Sequence, residues 1–214
     1  MDGEVGTHRR NASSSANCSG DGFRFALTNL TLPIQRVFII GLSGSGKSTV
    51  GRIAARKLGW KTLDTDDLVV REAGMPIDDI FERLGEPEFR RRERAALLTT
   101  LGQNHVLVAT GAGIVLDSRN RSDMLRSGIT VYMKASPERC AAHLMNSKRG
   151  EIRPLLEGAE GLENRLRTLL EERAAFYETA HITVNGERER VDQLATDFLS
   201  AIAGMGVTAA ERRR

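Results

Sequence analysis

At 214 residues, 40% hydrophobic and 28% charged with a formal net charge of +3, the chain has room for one domain with a real core and not for two of ordinary size. The mild positive charge has no basic stripe interleaved with aromatics, which argues against nucleic acid as a partner. No stretch has the length of a membrane-spanning helix, so a membrane is not expected either. Two cysteines, Cys18 and Cys140, with no CxxC pair and scattered histidines, speak against a disulfide framework or a structural zinc site and fit a reducing, cytoplasmic setting.

Residues 1–34 read as an N-terminal extension, disordered by composition, because Asn11 to Gly22 is rich in Ser, Asn and Gly without periodicity. Its Arg and Ser content would suit a plastid transit peptide, but Asp2, Glu4 and Asp21 weigh against one. The domain proper is expected over 35–204. Val37-Phe38-Ile39-Ile40 is a short apolar, β-branched run of the kind buried in a parallel sheet. Glycines and a helix from Lys47 to Leu58 follow, then a second strand ending at Thr62-Leu63. Leu68 to Leu101 is helical, broken near Gly74-Met75-Pro76 and again at Gly85. Val106 to Ala109 is a strand, Leu116 to Arg126 a helix, and Ile129 to Met133 a strand. Pro137 to Met145 is a helix with Ser136 as its N-cap. Asn146 to Gly161 is polar and contains glycine, which predicts a mobile loop. Leu162 to Tyr177 is helical, Ile182 to Val184 the last strand, and Val191 to Ile202 the closing helix. A frayed tail is expected over 205–214. Strands alternating with helices give an α/β fold, a five-stranded parallel sheet covered on both faces.

Gly41-Leu42-Ser43-Gly44-Ser45-Gly46-Lys47-Ser48 matches the phosphate-loop pattern in full and lies between a buried strand and a helix. Its glycines let successive N–H groups face one point, and the helix adds its positive end. Gly44, Ser45, Gly46, Lys47, Ser48 and Thr49 are the expected ATP contacts. Lys47 would reach the terminal phosphates, and the Ser48 hydroxyl would coordinate Mg²⁺.

Asp64 and Asp66 follow the second strand, and in an open α/β sheet ligands bind beyond the carboxyl ends of the strands. One carboxylate would serve the ion, and the other would take the proton of an acceptor hydroxyl. Arg90 and Glu93 are three apart and share a helix face. Spacing alone makes them an ordinary surface ion pair. Arg153, in the polar loop, is either a solvated arginine or one that closes over the γ-phosphate. Arg173 reads as helix decoration by default. Gly111-Ala112-Gly113 directly after the third strand is either a structural turn or a place for backbone N–H groups to approach a ligand.

GLSGSGKST, LDTD, GEPEFRRRE, TGAGIV, the RPLL loop and LLEERAAFY, in that order over about Arg36 to Gly204, resemble the shikimate kinase family. The resemblance implies a three-layer P-loop kinase of nucleoside-monophosphate-kinase type, with strand order 2-3-1-4-5 and a mobile lid. It implies transfer of the ATP γ-phosphate to the 3-hydroxyl of shikimate in aromatic amino-acid biosynthesis. It assigns Ser48 and Asp64 to Mg²⁺, Asp66 to the ring hydroxyls as base, and Arg90 and Arg173 to the substrate carboxylate. Gly111, Ala112 and Gly113 would line the substrate, Arg153 would be the lid arginine, and Thr65 needs no separate role. The working form is expected to be a monomer.

Two positions depart from the family's pattern. Ala112 stands where a middle glycine is usual, and a left-handed conformation there would cost about 1 kcal/mol. Asn146 stands where an arginine often covers the adenine, with Lys148 or Arg149 as substitutes. A kinase for a gluconate-like hydroxy acid and a non-catalytic ligand sensor are the rival readings.

Overall fold

A computed structural model describes residues 34–146, 158–188 and 190–210. The element order is β1 (Arg36–Ile40), α1 (Lys47–Leu58), β2 (Lys61–Asp64), α2 (Thr65–Ala73), α3 (Ile77–Leu101) and β3 (Val106–Ala109). A short 3₁₀ turn (Ile114–Leu116), α4 (Ser118–Ser127), β4 (Ile129–Lys134), α5 (Pro137–Asn146), α6 (Gly158–Tyr177), β5 (Ile182–Asn185) and α7 (Val191–Ala203) follow. The strands form one parallel sheet in the order β2-β3-β1-β4-β5, as expected.

The alternation within β1 explains why it is the central strand. Val37 and Ile39 point into a core layer shared with Val50 and Ala54 of α1 and with Leu194, Phe198 and Ile202 of α7. Phe38 and Ile40 point the other way, into a layer with Leu97 of α3, Met124 of α4, Cys140 of α5 and Tyr177 of α6. Both faces of the strand are dry from Val37 to Ile40, so these four positions are apolar. Pairing in register with β3 (Phe38↔Val108) and with β4 (Phe38↔Thr130) satisfies its backbone on both edges. The chain runs from β1 to one side of the sheet, returns through β3, and crosses to β4 on the other side. The reversal opens a crevice at the carboxyl end of β1, the place where such sheets take ligands.

The long helix α3 is broken at Gly85, whose φ of 80° and ψ of 166° no helix accommodates. Pro87 then falls in the first turn of the second half, where its missing N–H costs nothing. Ile80 before the break joins Phe89 and Ala96 after it, with Val69 of α2, in a small apolar cluster apart from the main layers. Ser136 caps α5 as expected, its hydroxyl accepting from the Arg139 N–H.

The tail differs from the fraying expected after 204. Val207 is buried in the core layer of α1 and α7. The Ala210 N–H donates to the Leu58 carbonyl at 2.9 Å. The polar composition of 205–214 concealed a single valine that docks residues 205–210.

Candidate active site

The phosphate loop runs out of β1 into α1. Gly44 has a φ of 81°, and a Cβ there would run into the Cys140 carbonyl oxygen, so α5 packs against the bare backbone. His143 of α5 bonds the Gly44 carbonyl through Nδ1 at 3.0 Å. A carbonyl only accepts, so the imidazole carries its proton on Nδ1. Lys47 is buried, with Nζ donating to the Gly41 and Leu42 carbonyls at 2.9 and 2.6 Å. The first turn of α1 carries no acidic residue of its own. Ser45 and Gly46 complete the loop, and Thr49 lies beyond Ser48 in the first turn of the helix.

Asp64 uses its two carboxylate oxygens in different places. One oxygen caps α2 by accepting the Asp66 N–H at 3.0 Å. The other accepts the Ser48 hydroxyl at 2.6 Å, joining the end of β2 to the start of α1. The two residues expected at a metal are therefore adjacent.

Asp66 opens onto a cleft also lined by Leu42, Arg90, Glu93, Ala112 and Arg173. The sequence's default reading of Arg90 and Glu93 fails here. Glu93 is only 1% exposed. It holds Arg90 Nη1 at 2.7 Å, while Glu86 accepts from Nε and Nη2 at 3.1 and 3.0 Å. Burial works against the Arg90 charge. The Glu93 carboxylate and its hydrogen bond, with Glu86 beside them, more than offset that and hold the guanidinium above its ordinary range. This is a positioned, permanent cation rather than a solvated pair.

The turn after β3 explains its own composition. A Cβ on Gly111 would stand 2.6 Å from Asp66 Oδ1 and 2.7 Å from Glu93 Oε1. One on Gly113 would stand 2.6 Å from Arg90 Nη2. Glycine is needed at both positions for space, because charged side chains lie directly over the backbone. Ala112 sits between them without strain. Among the described residues, His105 is the one non-glycine with positive φ, so the left-handed cost foreseen for Ala112 does not arise.

The Gly111 N–H, expected to face a ligand, is taken by Thr65 Oγ1 at 2.9 Å. Thr65 is fully buried and thus has a role that sequence reasoning denied it. Tyr177 was also passed over as a site residue: its hydroxyl donates to the Ala112 carbonyl at 2.7 Å. The signal for Tyr177 was its spacing of four from Arg173, which puts both on one helix face. Asn146 ends α5 exposed, and Arg153, Lys148 and Arg149 lie outside the described residues.

Comparison with known proteins gives this cleft a context. The shikimate kinase family model matches residues 43–203. The shikimate kinase of Caldanaerobacter subterraneus subsp. tengcongensis is 36% identical over 168 residues, covering 78% of this chain and 96% of that protein. A shikimate kinase of Thermus thermophilus is 38% identical over 170 residues, covering 79% and 91%. Among solved structures, the shikimate kinase from Acinetobacter baumannii in complex with shikimate superposes with a TM-score of 0.72 at 35% identity, covering 80% of this chain and 94% of that one. A gluconokinase from Sinorhizobium meliloti matches at a TM-score of 0.56 and 19% identity, covering 80% and 93%, which speaks to the fold alone.

Proposed function

The chain belongs to the shikimate kinase family, and we infer on that premise that it phosphorylates shikimate with ATP. The 3-hydroxyl is the proposed acceptor. The observation that carries the reading is one cleft holding a phosphate loop's edge, a carboxylate at Asp66 and two arginines, Arg90 and Arg173. A polyol acid needs both a base for its hydroxyl and a fork for its carboxylate.

In this reading the N–H groups of Gly44 to Ser48 and the Lys47 ammonium hold the terminal phosphates, with Thr49 in the following turn. Asp66 orients the acceptor hydroxyl and takes its proton as the new P–O bond forms, while ADP leaves with the electrons of the broken one. Arg90, kept in place by Glu93, and Arg173 bind the carboxylate and fix which hydroxyl faces the phosphate. Gly111, Ala112 and Gly113 form the floor, and Arg153 is the proposed lid cation. Ser48 Oγ and Asp64 Oδ2, 2.6 Å apart, are hard oxygen donors that suit Mg²⁺. Among the described residues no group of three or more acidic, His or Cys side chains could cage a metal, which fits an ion that takes most of its ligands from phosphate and water. Bound there, Mg²⁺ would neutralise charge on the phosphates.

The test is ADP release from MgATP in the presence of shikimate, quinate, gluconate or no acceptor. Turnover with shikimate, and little with the others, is expected. Turnover with gluconate alone would replace the acceptor, and silence with all three alongside ATP binding would favour a sensor.

A further inference from the structure

The turn that floors the cleft, residues 111–116, is closed from within. The Ile114 N–H donates to the Gly111 carbonyl at 3.2 Å, and the Leu116 N–H to the Gly113 carbonyl at 3.0 Å. The Ile114 carbonyl is taken from outside, by Asn120 Nδ2 of α4 at 3.0 Å. Asn120 Oδ1 in turn accepts from Arg94 Nη1 of α3 at 2.9 Å. Chemistry fixes the orientation of this amide, because a guanidinium only donates and a carbonyl only accepts. Asn120 is 2% exposed, and both ends of its side chain are in use. Asp123, three residues further along α4, holds Arg94 Nη2 at 2.5 Å.

Arg94 directly follows Glu93 and lies one turn after Arg90, so α3 meets the turn in two ways. At the cleft, Glu93 Oε1 and Arg90 Nη2 lie over Gly111 and Gly113, where a Cβ would stand 2.7 and 2.6 Å from them. Beyond the cleft lining, the same helix reaches the next residue, Ile114, through Arg94 and Asn120.

We propose that Asn120 is a positioning residue of the acceptor site: by tying the Ile114 carbonyl to Arg94, it sets the gap between the Gly113 backbone and the Arg90 guanidinium, and so the place where the substrate carboxylate is met. This rests on the shikimate reading above. The gap has no slack, since not even a methyl group fits into it. A shift of Ile114 passes to Gly113 through the peptide bond and to Gly111 through the hydrogen bond between them. Asparagine suits the joint because one end must accept and the other donate where water is excluded.

The experiment is Asn120→Asp, which keeps the size of the side chain and the acceptor for Arg94 but sets a carboxylate oxygen against the Ile114 carbonyl. KM for shikimate should rise about tenfold, as for a small misplacement of a binding group, with KM for ATP unchanged. A merely structural loss would lower the active fraction, and with it the apparent kcat, and leave both KM values alone. In a Gly113→Ala background, where the guanidinium is already displaced, Asn120→Asp should add little. Equal rises in both KM values, no rise at all, or full additivity with Gly113→Ala would overturn the proposal. Failure of the wild-type protein to turn over shikimate would instead overturn the functional reading.

Should Asn120→Asp not fold, Arg94→Met tests the other half of the joint. The Arg94 side chain is 22% exposed and is replaced at less cost than a buried amide. Methionine keeps the apolar stem and leaves Asn120 on Ile114 without its anchor in α3. The same selective rise in KM for shikimate is expected, and an unchanged value would overturn the proposal.

Discussion

At position 113 a hydrogen atom stands where any other side chain would begin, and Arg90 Nη2 would lie 2.6 Å from a Cβ there. The arginine is the far end of a flexible side chain, so Gly113→Ala should leave the fold intact and push the guanidinium aside. KM for shikimate is expected to rise roughly tenfold to a hundredfold, as for a misplacement near 1 Å, with KM for ATP steady. Ala112→Gly, by contrast, should improve nothing, since Ala112 is unstrained. Steady-state kinetics on both variants decide the matter, and equal behaviour of the two would refute the steric account. For the chemistry itself, Asp66→Asn should lower kcat roughly 10²- to 10⁴-fold while ATP affinity by calorimetry changes little. A parallel loss of both would place Asp66 at the nucleotide instead.

At the scale of elements, strands and helices were legible because periodicity is a local property. β1 announced itself by four apolar residues, and the break in α3 by Gly85. What remained hidden depended on which face each helix turns inward. Glu93 read as half of a surface ion pair because spacing cannot report burial, and Thr65 was given no separate role because its partner Gly111 is 46 residues away. The break in α3 has an electrostatic consequence. It creates a new helix N-terminus with Glu88 in its first turn, a favourable place for a negative charge. Hydrogen bonding to Arg91, followed by its charge and the contacts of Arg92, lowers the Glu88 pKa from the usual 4.5 to about 2. A depressed folded-state pKa contributes stability that is fully present above the unfolded value and is lost as pH falls through the folded one. The stability gap between the wild type and Glu88→Gln should therefore be constant at neutral pH and close between about pH 4.5 and 2. Urea midpoints at pH 7, 4 and 2.5 would show this, and a gap as wide at pH 2.5 as at pH 7 would contradict it.

For the whole molecule, the phosphate loop and the docked tail are tied to opposite ends of α1. The loop enters the helix at Lys47, whereas Ala210 bonds to the Leu58 carbonyl at the other end. Twelve residues of helix separate the ends by about 18 Å. Stability and acceptor binding should therefore respond separately to changes in the tail. A chain ending at Gly204 loses the buried Val207 and the Ala210 hydrogen bond, together about 2–4 kcal/mol by ordinary burial and hydrogen-bond magnitudes. For a domain of this size that corresponds to a fall in Tm of about 5–15 °C. The KM for shikimate at about 20 °C should not move, because Val207 belongs to the core layer under α1 and α7, while the cleft draws Leu42 from the opposite layer. A truncation that leaves Tm unchanged would show that 205–210 contributes nothing to the core. One that raises the KM without lowering Tm would mean that strain travels along α1 from its carboxyl end to the phosphate loop.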